Sequence, residues 1–115
     1  MNGERELTGA LRSFFGTNRD VLVPLGDDAA VVRAPKGAMV LCCDPVVEGV
    51  HFLAETPLRL VGRKAVNRNL SDLAAMGATP SWLLCSVVAP KGLGRDRLLA
   101  LLGGVRAAAR AAGAV

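Results

Sequence analysis

Three acidic sites sit inside apolar, small-residue stretches: Asp27-Asp28 in Gly26-Asp-Asp-Ala-Ala-Val-Val32, Asp44 in Val40-Leu-Cys-Cys-Asp44, and Asp72 in Asn69-Leu-Ser-Asp-Leu-Ala-Ala-Met-Gly-Ala78. A carboxylate in such surroundings costs free energy unless a cation or hydrogen-bond donors meet it. Two adjacent carboxylates also repel one another. A hard cation such as Mg²⁺ takes carboxylate and water oxygens and can carry substrate phosphates, which makes phosphate chemistry the first expectation. His51, the only histidine, can donate to a phosphate because it is charged or neutral near pH 7. Each of these residues also has a plainer reading. Asp27-Asp28 suits a turn. Asp44-Pro45 suits a strand end, and Glu48 either a second acidic ligand or a solvated loop residue. Lys64, Arg68 and Asp72 form a row at four-residue steps, so Asp72 could be spent on a surface ion pair with Arg68, worth about 0.3–0.5 kcal/mol. His51 could be a hydrogen-bonded structural residue. Cys42 and Cys43 read as buried strand residues, because thiols do not suit a hard metal.

Elements of modest size must position these groups. The 115 residues amount to one domain at most. Half of them are apolar but only 3% aromatic, so the core must rest on Val, Leu and Ala. Residues 4–15 repeat Leu7, Ala10, Leu11, Phe14 and Phe15 at helical spacing, with Gly16 as the stop. Val21–Pro24 reads as a short extended piece within a loop. Ala29–Arg33 and Met39–Cys43 read as strands joined by Pro35-Lys36-Gly37, hence a hairpin. Val46–Leu53 is either strand or ordered loop. A helix is expected from Pro57 to Met76, capped by Thr56 and stopped by Gly77. Ser81–Ala89 reads as a buried strand. The helix over 95–112 buries Leu98, Leu101, Leu102, Val105, Ala109 and Ala112 and closes at Gly113. Ala114-Val115 reads as the first residues of another strand, so the chain looks truncated. The class is α/β (α+β): a mixed sheet with helices packed on one face.

The formal charge of +4 favours anionic partners: a nucleotide, a phosphorylated metabolite or nucleic acid. The basic residues are scattered without stacking aromatics, which argues against nucleic acid. The commonest phosphate loop, the dinucleotide fingerprint and zinc-type Cys/His spacings are all absent. Three cysteines, an odd number without Cys-x-x-Cys, fit a reduced cytoplasmic protein. No signal-type or membrane-length apolar run occurs.

Taken together, Gly26-Asp-Asp-Ala-Ala-Val-Val32, Asp44-Pro-Val-Val-Glu-Gly-Val-His-Phe52 and Lys64-Ala-Val-Asn-Arg-Asn-Leu-Ser-Asp-Leu-Ala-Ala-Met-Gly-Ala78 resemble the thiamine-monophosphate kinase family. That family belongs to a superfamily with aminoimidazole ribonucleotide synthetase and selenophosphate synthetase. The resemblance implies a Mg²⁺-dependent transfer of the ATP γ-phosphoryl group to thiamine monophosphate, giving thiamine diphosphate without a phospho-enzyme. It places Asp28, Asp44 and Asp72 on the family's metal-binding aspartates, Asp27 beside them, and His51 on a substrate-contacting position. No residue is implied as a catalytic nucleophile. It implies that residues 1–115 are an incomplete N-terminal ATP/Mg-binding domain, inactive or nearly so alone, and that such domains pair as homodimers through their sheets. Two departures stand out. Cys42 and Cys43 replace the usual Ser or Thr before the strand-end Asp, and Asn67-Arg68 replaces a small apolar pair. They keep two alternatives open: a divergent relative acting on another phosphorylated metabolite, and a non-catalytic dimerisation domain.

Overall fold

The computed structural model describes residues 3–15, 17–26, 28–88 and 90–115. The elements are α1 (Glu4–Phe15), β1 (Val21–Val23), β2 (Val31–Val32), α2 (Leu58–Ala75) and α3 (Arg95–Ala111), a small α+β arrangement. They fall into two compact units, residues 1–39 and 40–115.

In the first unit α1 spans the expected residues, with Glu4 and Glu6 at its positive end and Arg12 in its last turn. None of its side chains is fully buried. Gly16, expected to stop it, lies outside the described residues. The Asn18 side chain accepts from the amides of Asp20 (2.9 Å) and Val21 (3.2 Å) and so turns the chain into β1. β1 pairs antiparallel with β2, Val21 opposite Val32 and Val23 opposite Val31, with a register irregularity between. This corrects the expected hairpin of Ala29–Arg33 with Met39–Cys43. The short piece at 21–23 takes the pairing, helped by Arg33 N donating to Asp20 O at 2.7 Å. Residues 39–43 form no ladder.

The second unit is built on α2 and α3. Val61, Val66, Leu98, Leu102, Val105 and Ala109 are buried between and beneath them. Each fully buried Val is worth roughly 1.5–3 kcal/mol relative to exposure. Two glycines set how close the helices come. A Cβ on Gly62 would lie 1.9 Å from Leu101 O, and one on Gly104 would lie 1.9 Å from Arg59 O. Each glycine costs its helix about 1 kcal/mol against Ala, and each admits the other helix's backbone. Both helices end in the same way. Ala78 N reaches Leu73 O and Gly77 N reaches Ala74 O; Ala114 N reaches Ala109 O and Gly113 N reaches Arg110 O. With Gly77 at φ +68° and Gly113 at φ +78°, these are Schellman ends that satisfy the last carbonyls. At the other end of α2 the expected cap is corrected. Pro57 is the cap residue and supplies no side-chain bond, while the Thr56 hydroxyl accepts from Leu53 N at 3.2 Å and closes the preceding turn.

The expected strand Ser81–Ala89 forms no ladder along its described length, and Ala89 lies outside the described residues. Its first residues do pair with the chain end. Val115 N donates to Ser81 O at 3.1 Å and Leu83 N to Val115 O at 2.7 Å, the two-bond pattern of a parallel bridge across Trp82. Residues 46–53 are an ordered loop folded back on itself, with Gly49 N on Phe52 O at 2.8 Å. Apolar side chains on these segments remain exposed, among them Leu41 (73%) and Val88 (79%). No helix among the described residues is long and apolar enough to cross a membrane.

Candidate functional site

The chain segment 42–45 is fastened to α2 by one buried side chain. Asn69 sits on the inward stripe of α2, 8% exposed. Its Oδ1 accepts from Asp44 N at 2.9 Å, and its Nδ2 donates to Asp44 O at 3.2 Å and to Ala65 O at 2.8 Å. The amide thus clamps both main-chain groups of Asp44 and fixes where that carboxylate starts. Cys42 donates its thiol to Asn69 O at 3.7 Å, and Cys43 donates to Leu84 O at 3.8 Å.

One turn along α2 from Asn69, Asp72 meets Asp44. Their carboxyl groups share a hydrogen bond, which raises the Asp72 pKa above its ordinary value. The charge of Asp44 and burial add to the rise, and Arg68 opposes it. The simpler alternative for Asp72, an ion pair with Arg68, is not what the fold makes. Arg68 instead donates to Pro45 O at 3.0 Å. A second tether runs from Lys64 Nζ to His51 O. Both cations therefore hold the loop between Asp44 and His51 against α2.

His51 is held from within that loop. Its Nδ1 accepts from Val47 N at 2.8 Å, which assigns the proton of the neutral ring to Nε2. Burial, then the nearby Arg68 and Lys64, lower the His51 pKa, with Asp44 opposing. The ring is a neutral Nε2–H donor rather than a cation. Glu48 lies exposed in the turn before it.

Two hard oxygen groups in contact, competing for one proton, fit a divalent cation such as Mg²⁺. Such an ion would replace that proton and bind both carboxylates. Cys42 beside them stays a thiol: burial, then Asp72 and Asp44, push its pKa up. A neutral thiol whose proton points at Asn69 O is no competing soft ligand. Among the described residues no group of three His, Cys, Asp or Glu side chains gathers tightly enough to hold a metal ion. Asp28 belongs to the first unit, exposed, after a glycine at φ +122°. Asp27 lies outside the described residues.

So the fold brings Asp44 and Asp72 together and ties the His51 loop to the same helix. The grip of Asn69 on Asp44 was not foreseen from the sequence. Nor were Lys64 and Arg68 as loop tethers, though the row Lys64, Arg68, Asp72 was the visible signal.

The chain belongs to the AIR synthase related protein, N-terminal domain family, whose model matches residues 26–115. Within it, the chain is similar to proteins named thiamine-monophosphate kinase. That of Synechococcus elongatus is 40% identical over 102 residues, 87% of this chain and 28% of the relative. That of Caulobacter vibrioides is 47% identical over 73 residues, 63% of this chain and 21% of the relative. That of Buchnera aphidicola subsp. Schizaphis graminum is 44% identical over 68 residues, 58% and 21% respectively. The chain thus spans between a fifth and three tenths of the length of these relatives.

Proposed function

We propose that this chain is the Mg²⁺- and ATP-handling N-terminal part of a kinase that phosphorylates thiamine monophosphate to thiamine diphosphate. The observation that carries the reading is the grip of Asn69 on both main-chain groups of Asp44, one helical turn from Asp72, in a domain whose relatives bear that activity in their names. Asp44 and Asp72 would hold the ion, and Asp27 and Asp28 remain proposed ligands on their own loop. Bound Mg²⁺ would neutralise phosphate charge during the transfer. The chain's own residues then have simple roles. Asn69 keeps the Asp44 carboxylate in place, and neutral His51 offers Nε2–H to the acceptor. No side chain is needed as a nucleophile, since phosphoryl transfer is mostly positioning and charge stabilisation.

The test uses the complete enzyme carrying this segment. Asp44→Asn and Asp72→Asn should each lower Mg²⁺-dependent formation of thiamine diphosphate by at least about a hundredfold, the loss of one well-placed electrostatic group. Turnover of a different phosphorylated acceptor, with none of thiamine monophosphate, would support the divergent-relative reading instead.

The two cysteines favour a second reading: their thiols donate to backbone carbonyls where hydroxyl oxygens are usual. In that reading the chain is a non-catalytic dimerisation domain, and the exposed apolar segments around Leu41 and Val88 are its interface. Homodimer formation is also part of the first reading, so light scattering alone does not separate them. Activity and Mg²⁺-dependent thermal stabilisation do.

A further inference from the structure

Three cations on the exposed side of α2 form no salt bridge with a carboxylate among the described residues. Arg63, Lys64 and Arg68 line an open groove of about 480 Å³ with Leu60, Asn67 and Ser71. Among the described residues none of the three forms an ion pair. Like charges this close repel, and ordinary solvated side chains relieve that by swinging apart. Two of these three are prevented from doing so. Lys64 donates to His51 O and Arg68 to Pro45 O. A carbonyl takes up one N–H and cancels no charge, so both cations are held at the groove with most donors unused. The Asn67 amide and Ser71 hydroxyl add neutral donors, and no acidic side chain lines the space. Arg68 and Asp72 stand one helical turn apart on α2, so the Arg68 end of the groove lies one turn from the carboxylate pair.

We propose that this groove binds a phosphate monoester, that of the acceptor, through Arg63, Lys64 and Arg68 with Asn67 and Ser71. A monoester carries about −1.5 to −2 charge near pH 7 and three acceptor oxygens. Guanidinium groups match that geometry two bonds at a time. A nucleotide fits less well, because the lining holds no aromatic ring and only Leu60 as a large apolar side chain, so nothing there stacks on a base. The phosphate site stands on the groove alone. The acceptor's identity rests on the kinase reading above.

The experiment is titration of the chain, in chelator to remove divalent cations, with thiamine monophosphate, inorganic phosphate, thiamine and ATP. Thiamine monophosphate and inorganic phosphate should bind, thiamine should not, and added salt should weaken binding. Arg63→Gln should weaken it about tenfold, the worth of a charge-assisted contact. The melting temperature should change little, because among the described residues the exposed Arg63 side chain makes no hydrogen bond. Arg63→Gln with Arg68→Gln should abolish binding, and Asp72→Asn should leave it intact. Absent phosphate-dependent binding, or binding indifferent to the arginine variants, overturns the site. ATP displacing the monoester from the same arginines with higher affinity overturns the assigned occupant. Phosphate binding that persists while the complete enzyme fails to phosphorylate thiamine monophosphate supports the groove and removes only the kinase reading.

Discussion

The second unit contains two kinds of structure in contact, and they differ in how complete they are. The α2–α3 pair makes its hydrogen bonds within each helix, closes both C-termini with glycine, and buries Val61, Val66, Leu98, Leu102 and Val105. The extended segments 40–53 and 81–88 have few ladder bonds and leave Leu41, Val50, Leu84 and Val88 exposed. A helix meets its backbone needs locally, whereas a strand needs neighbours. The candidate site lies on the seam between the two. Asp72 comes from the completed side and Asp44 from the incomplete one, and Asn69 is the stitch. The helix pair is thus the rigid reference against which the acidic segment is placed.

The strongest way to break this contrast is to push the helices apart. Gly62→Leu or Gly104→Leu places side-chain atoms where the facing backbone already is, and should prevent cooperative unfolding from being seen at all. The milder Gly62→Ala should still cost about 1–3 kcal/mol in denaturant unfolding despite its better helix propensity.

Cutting the stitch tests the seam alone. Asn69→Ala leaves Asp44 N, Asp44 O and Ala65 O without their side-chain partner, a loss of about 1–3 kcal/mol. Hydrogen exchange should rise at residues 42–52 and stay unchanged in α3. Equal loss of protection in α3 would show that the two parts are not separable as described.

The smallest effects are in pH dependence, and they have opposite signs on the two sides of the seam. The Asp72 pKa is raised from 3.8, so the folded state binds that proton more tightly than the unfolded chain. Metal-free stability should therefore fall as pH rises from 3.8 through the folded-state value. Asp72→Asn or saturating Mg²⁺ should flatten that slope. The His51 pKa is lowered from 6.5, so there the unfolded chain binds the proton more tightly. Stability should fall as pH drops from 6.5 through the folded-state value, and His51→Gln should remove that decline. Thermal melts across both windows read the two slopes separately.

The same division governs what could be read without the fold. α1, α2 and α3 lie within a residue or two of their expected ends, and Gly77 and Gly113 stop the last two as expected. Periodicity and terminal glycines are local signals, and helix hydrogen bonds are local too. The first hairpin was misread because its pairing depends on which neighbour is available. Val21–Val23, a short piece without clear alternation, displaces Met39–Cys43 as the partner of Val31–Val32. The Thr56 cap was misread because its hydroxyl serves the turn at Leu53.

By itself the sequence determined the three helices, the acidic residues set in apolar stretches, and the family membership that those stretches carry. Their order and spacing are properties of the chain, independent of packing. Only the tertiary structure decided that Asn69 holds Asp44, that Arg68 binds Pro45 O rather than Asp72, and that His51 is a neutral Nε2–H donor. Each of those outcomes joins groups 4 to 25 positions apart. Which of several available partners wins there depends on burial and direction in space, and spacing along the chain does not encode that competition.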